Sequence, residues 1–325
     1  MLRIFTPNDE MALTRIDVAS GRLPEGTVWI DMLHPTREEE LFIEGVTGIQ
    51  VPTPEEMLEI ETSSRLYAEN GALYMTATLA TGVMKDAPES HSVGFVLTPV
   101  HLITVRYAEI VAFERFASHA ERNAALCDAP GMALVNLLDA VVDRLADGIE
   151  HVAGEVDAIS KQAFRRARRR GEGRVSNLAL QSLITRLGAA QDALSKSRES
   201  AVTLARAVGW LNFSAPRDMA LGPHLKSLQR DLTSLTDHAS YMGANITFLL
   251  DATLGLISIE QNAVLKIFSV SAIVFMPPTL VAGIYGMNFD SLPELHWALG
   301  YPWALTLMVA SAVLPYLFFR WRGWL

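Results

Sequence analysis

The chain has almost no cysteine. Cys127 stands alone among 325 residues, which excludes an intramolecular disulfide and a cysteine-based zinc site and fits a reducing cytosol. Eight histidines occur, but none forms a metalloprotease pair. No Gly-x-x-x-x-Gly-Lys loop is present to cradle a phosphate, and no serine sits in a nucleophile-elbow context. Hydrolytic catalysis and nucleotide-driven pumping therefore have no residues to perform them, and the chain does not read as an enzyme. Met1–Glu10 also lacks the basic start and apolar run of a signal peptide, so the first 260 or so residues are expected to stay in the cytoplasm.

Two further absences shape the architecture. No charge occurs in residues 267–285, "IFSVSAIVFMPPTLVAGIY", and no proline occurs between Pro223 and Pro277. About twenty apolar residues cross a hydrocarbon core of roughly 30 Å. Trp297–Phe319 is a second uncharged run, with Trp297, Tyr301 and Trp303 at its start as an interfacial belt. Only residues 286–296 lie between the two runs, so they form a hairpin of spans. Two uncharged runs of this length are rare in soluble cores. Lys266 precedes the first span and Arg320 and Arg322 follow the second, which places both outer ends of the hairpin in the cytoplasm and 286–296 outside.

Charge of one sign is scarce in each half. Residues 1–160 hold 10 Lys/Arg against 26 Asp/Glu, and residues 161–325 hold 17 against 10. The acidic half should attract cations, and the basic half should sit nearer anionic lipid headgroups.

The proline-free stretch reads as one helix from about His224 to Tyr285, with apolar residues at Leu225, Leu228, Leu232, Leu235, Met242, Ile246 and Leu249. Such a helix is roughly 90 Å long, so its lower part is a stalk outside the bilayer, and it needs neighbours. Steps of three and four through it give Asp251, Ser258, Asn262, Leu265, Phe268 or Ser269, Ala272, Met276, Thr279 and Gly283. A helix meant only for lipid has no need of so small and polar a stripe. The other reading of the stripe is a small-residue packing face between helices. Pro277 and Pro278 remove two amide donors inside the span and are expected to bend it or loosen its ladder. Two helices cannot enclose an aqueous path alone, so the hairpin is either a tail anchor or one part of a ring of copies.

Residues 134–165 and 178–213 read as two more amphipathic helices, joined by "RRARRRGEGR" at 165–174. That tip is either a solvated hairpin end or a contact with anionic headgroups. No aromatic residues interleave with its arginines, and nucleic acid is not an expected partner. Nearer the N-terminus, "TVWID", "ALYMTATL", "SVGFVL" and "HLITVRY" are strand-like, while "TPEEMLEIETSSRLY" reads as a helix capped by Thr53. The expected fold is an α+β membrane protein. It has an N-terminal α/β cytosolic part at 1–130, a helical hairpin at 131–223, a stalk at 224–266, spans at 267–285 and 297–319, and a basic tail at 320–325.

The segment "YGMNFDSLPELHW" at 285–297 places Asn288, Asp290, Glu294 and His296 between the two most apolar stretches, where burial in lipid cannot be their role. Together with "IEQNAVLKIFSVSAIVFMPPTLVAGIYGMNF", "PELHWALGYPWAL" and the closing "WRGWL", it resembles the CorA family of magnesium and cobalt transporters. The Tyr-Gly-Met-Asn tetrad is that family's signature. The resemblance runs upstream through "VWIDMLHPTREEE" and "EEMLEIETSSRLY" to cover nearly the whole chain.

What the resemblance implies is a homopentameric funnel in the cell (inner) membrane, with both termini cytoplasmic and the first span lining a pore. Mg²⁺ would be both substrate and regulator, Co²⁺ would also pass, with Ni²⁺ a further candidate, and no organic cofactor is implied. Gly286, Met287 and Asn288 would form the selectivity mouth, and Asp290 and Glu294 would raise local cation concentration. By position, Met276 and Thr279 would line the upper pore with Ala272, and Asn262 would form a second polar ring. Leu265 and Phe268 would be a hydrophobic constriction, with Ser258 and a carboxylate ring of Asp251 below them. The ion in transit would meet Asn288, Asn262 and Asp251 through its waters. The regulatory Mg²⁺ site is left unknown: Ser227 stands where some relatives carry aspartate, with Asp231 or Asp237 as possible substitutes. The nearest alternative is a zinc transporter of the same fold, against which the intact Met287 argues. A membrane-anchored cytosolic scaffold is the alternative from another class.

Overall fold

The structure, a computed structural model, describes residues 2–6, 14–15, 22–85, 87–168, 177–215, 221–287, 297 and 299–322. The chain divides into two compact units, one of Met1–Arg165 with Gln181–Leu250 and one of Arg166–Leu180 with Asp251–Leu325.

The first unit is built on seven strands: β1 (Leu2–Phe5), β2 (Thr14–Arg15), β3 (Trp29–Leu33), β4 (Leu66–Glu69), β5 (Ala72–Thr81), β6 (Glu89–Leu97) and β7 (Leu102–Arg106). They are ordered β2-β1-β3-β7-β6-β5-β4, antiparallel except for the parallel pair β3–β7. Strand alternation splits the side chains between two faces. Ile30, Met32, Ile103 and Val105 point to one face, where they pack with Ile43 and Met57 from α1 (Arg37–Thr47) and α2 (Pro54–Leu58). Trp29, Asp31, Thr104 and Arg106 point to the other. There the Trp29 ring stacks on Phe5 at 4.2 Å and meets Phe116 of α4 (Val111–Ala120) at 5.1 Å.

The segment read as one helix from Thr53 is three elements. Thr53 does cap α2, with Glu56 closing the capping box, but α2 ends at Leu58. A second short helix, α3 (Thr62–Arg65), follows, and β4 begins at Leu66. The cause lies downstream at Asn70-Gly71, whose φ values of 49° and 80° make a two-residue hairpin between Glu69 and Ala72. Asn-Gly is the commonest solution for that left-handed pair. Pairing Leu66 with Met75 and Tyr67 with Tyr74 then overrides helix propensity.

Four long helices follow: α5 (Pro130–Arg168), α6 (Asn177–Ser214), α7 (Gly222–Tyr285) and α8 (Gly300–Trp321). The α5 helix continues four residues into the basic stretch read as a tip at 165–174, and residues 169–174 lie outside those described. The α6 helix serves the sheet as well as the core. β4 covers β5 only as far as Met75, which leaves later backbone groups on that edge unpaired. Thr203 accepts from the Thr78 amide at 3.1 Å and donates to its carbonyl at 3.1 Å, and Ser200 accepts from the Ala80 amide at 2.6 Å. Side-chain hydroxyls thus stand in for the missing strand.

Candidate ion-conducting site

The α7 helix is 64 residues long, about 96 Å by its rise, so only about its last third can lie within a hydrocarbon core. In its first half, Leu225, Leu228, Leu232, Met242, Ile246 and Leu249 are buried in the first unit. Beyond Asp251 the environment inverts. The most apolar window has a mean hydropathy of 2.0 and is only 6% buried. The α8 helix behaves alike, with a mean hydropathy of 1.6 and 6% buried, and Tyr301, Trp303 and Trp321 are exposed near its ends.

Pro277 and Pro278 sit inside α7 without interrupting it. Lacking N–H groups, they leave the carbonyls of Ile273 and Val274 without their usual i+4 donors. Just above, the Thr279 hydroxyl donates to the Phe275 carbonyl at 2.8 Å, a back-bond that favours bending.

Every described member of the stripe is exposed within one chain: Asp251, Ser258, Asn262, Leu265, Phe268, Ala272, Met276 and Thr279. The structure gathers the upper members and not the lower ones. Ala272, Met276, Thr279 and Gly283 line an open groove of about 630 Å³, together with Phe275, Leu280, Ile284 and Met287.

 Among the described residues the groove is lined only by α7 and by Met287 just past its end, so another helix can fill it. Phe275, Leu280 and Ile284 were missed by the stripe, because steps of three and four follow a line and a groove takes in the flanking rows. Asp251, Ser258, Asn262, Leu265 and Phe268 lie lower on the same helix.

At the upper end the Gly286 amide donates to the Ala282 carbonyl at 2.9 Å and the Met287 amide to the Ile284 carbonyl at 3.2 Å, closing the helix. A Cβ on Gly286 would stand 3.0 Å from the Ala282 carbonyl oxygen. Gly286 and Met287 are both exposed. Asn288, Asp290, Glu294 and His296 lie outside the described residues.

Among the described residues no three His, Cys, Asp or Glu side chains gather into a metal cluster. Asp231, weighed as a regulatory ligand, shares its surroundings with Asp139, Asp143 and His224: burial, then the charges of Asp143 and Asp231, push the Asp139 carboxyl up, while His224 opposes them. Cys127 is buried, and its thiol is pushed up to about 12 by burial and then by Asp128, so it is inert at neutral pH.

An α/β unit, one unbroken helix leading out of it, and two apolar helices left exposed define a two-span membrane protein. The chain belongs to the CorA-like Mg²⁺ transporter family, whose description matches residues 24–321. It is 31% identical over 313 residues to the magnesium transport protein CorA of Salmonella typhimurium, covering 96% of each chain, and equally to that of Escherichia coli K12. Its fold resembles the complete CorA magnesium transporter from Methanocaldococcus jannaschii, with a TM-score of 0.77 and 18% identity over 100% of this chain and 99% of the other. The expected α/β domain, long helix and two C-terminal apolar helices are present.

Proposed function

We propose that the protein is a gradient-driven channel for Mg²⁺ uptake that also passes Co²⁺, with Ni²⁺ a further candidate. The observation that carries this reading is the stripe from Asp251 to Thr279, exposed along one continuous helix that ends at Gly286-Met287 in a chain of this family. Family membership supports Mg²⁺ as cargo. In the proposed assembly five copies form a ring in the cell membrane, with N- and C-termini cytoplasmic and α7 turned to the axis.

Five Asn288 amides at the external mouth would hold the ion through its waters, because Mg²⁺ sheds its hydration shell reluctantly. Neutral oxygens suit conduction, since a ring of carboxylates would bind tightly and release slowly. Asp290 and Glu294 would concentrate cations outside. Below, Thr279, Met276 and Asn262 would pass the hydrated ion. Leu265 and Phe268 would close by dewetting, and Asp251 would form the inner carboxylate ring. An inside-negative potential favours a divalent cation by about 4.6 kcal/mol per 100 mV, so no ATPase is needed.

The test is Mg²⁺ uptake by proteoliposomes that contain a Mg²⁺ dye, with an imposed inside-negative potential. Wild type should take up Mg²⁺ and Asn288→Ala should lose most of that flux. Uptake of Zn²⁺ in preference to Mg²⁺ would turn the reading to a zinc transporter, and silence toward Mg²⁺, Co²⁺ and Zn²⁺ alike would leave a membrane-anchored scaffold.

A further inference from the structure

The first unit holds a second groove, of about 770 Å³, that the ion pathway does not use. Three arginines line it: Arg65 from the end of α3, and Arg198 and Arg206 from α6. Glu199 is the one acidic residue of the lining, which leaves a net charge of +2. Arg65 comes from the acidic half of the chain, and Arg198 and Arg206 from the basic half. No carboxylate among the described residues pairs with any of the three guanidiniums.

Two of them are held in place by neutral partners. Arg65 donates through Nε to the Glu59 carbonyl and through Nη1 to Thr78 Oγ1 at 3.3 Å. Arg198 donates through Nε to Ser240 Oγ of α7 at 3.1 Å. Neither bond uses the whole fork, so N–H groups remain for an anion. Arg206 is exposed. Arg198 and Arg206 stand eight residues apart on one helix, about 12 Å along its axis, which exceeds the reach of a single phosphate. Arg65 sits near the level of Thr203, since both bond to Thr78, and so falls between them along α6. Ile60 also lines the groove and is 91% exposed, an apolar surface beside the charges.

We propose that this groove binds an oligophosphate, a linear anion of two or more phosphoryl groups. Spaced guanidiniums with free forks are the chemistry that recognises such a chain, bidentately and at several points. The ligand is either a bare phosphate chain or a nucleoside polyphosphate whose base lies against Ile60. Ala239, Ser240 and Gly243 of α7 complete the lining, so an occupied groove ties α6 and the β5 edge to the helix that continues to Tyr285.

Calorimetry on the detergent-solubilised full chain in EDTA, without Mg²⁺, tests binding separately from transport. The probes are tripolyphosphate, ATP and orthophosphate. Tripolyphosphate and ATP should bind at least about tenfold more tightly than orthophosphate. Arg206→Gln should weaken both about tenfold, and Arg198→Gln/Arg206→Gln further, as expected for lost charge-assisted contacts. ATP binding more tightly, with Ile60→Ser removing the difference, assigns the nucleoside form; equal affinities assign the bare chain. Binding unchanged in both variants, orthophosphate binding equally well, or no binding overturns the proposal. No binding with an altered oligomer mass in the double variant would make the groove a contact between copies.

Discussion

Arg106 is wholly buried, and a guanidinium there is tolerable only because its donors are occupied. Nε and Nη2 grip Asp31 at 3.0 and 2.7 Å, Nη1 reaches the Ala108 carbonyl at 3.0 Å, and Nη2 also meets Glu114 at 3.1 Å. Thr104 and Trp29 complete the network, the hydroxyl on Asp31 at 2.9 Å and the indole N–H on Thr104 at 3.0 Å. Asp31→Ala strands the buried charge and should cost about 3–5 kcal/mol of stability, read from denaturant unfolding of the solubilised protein. Glu114 gives the network a pH dependence. Burial pushes its carboxyl up, but Arg3 and Arg106 outweigh burial and hold it below the usual carboxylate range. A lowered folded value means a contribution present above the unfolded value, about 4.3, and lost as pH falls through the folded one. The difference in Tm between wild type and Glu114→Gln should therefore be largest near pH 6 and shrink toward pH 3. A constant difference across that range would take Glu114 out of the acid response.

At the scale of elements, the paired prolines and Gly286 stand a little over two turns apart, the prolines inside α7 and Gly286 just past its end. Helix continuity through Pro277 and Pro278 leaves two carbonyls without amide donors, a built-in weak point rather than a break. Gly286 sits where a Cβ would press on the Ala282 carbonyl at 3.0 Å. Gly286→Ala should displace the closing turn beneath Met287 and reduce Mg²⁺ uptake severalfold while Tm stays nearly unchanged. Wild-type flux in that variant would show that the turn yields without consequence. The long elements were legible because their periodicity runs for many turns: α5, α6 and α7 were read to within a few residues. The short ones were not. Thr53 was a true cap, but the helix it starts has five residues, and the Asn70-Gly71 hairpin that stops the helical run was the signal overlooked. The arginine groove had no signal at all, since Arg65 and α6 are distant in sequence and meet only through the β5 edge.

For the whole molecule, the decisive quantity is the apolar surface that one copy leaves open. Tyr241 is 66% exposed, Phe248 59%, Leu254 47% and Ile259 48%, all on α7 below the uncharged span. These residues precede the uncharged span, and apolar side chains open to water there mark an interaction surface. Copies of α7 packed side by side around an axis would cover it and would bring their Asp251 side chains together. In the proposed five-copy ring, like carboxylates at close range would repel, and a divalent cation between them would offset that repulsion. Internal Mg²⁺ would then favour the tight arrangement, and its loss would let the helices part. Asp251→Asn removes both the repulsion and the ligand. In proteoliposomes loaded with Mg²⁺, the variant should show higher basal flux than wild type and need more internal Mg²⁺ for the same inhibition. Flux and inhibition both equal to wild type would leave Asp251 no part in closing, and the sensing carboxylates would have to lie elsewhere on the first unit.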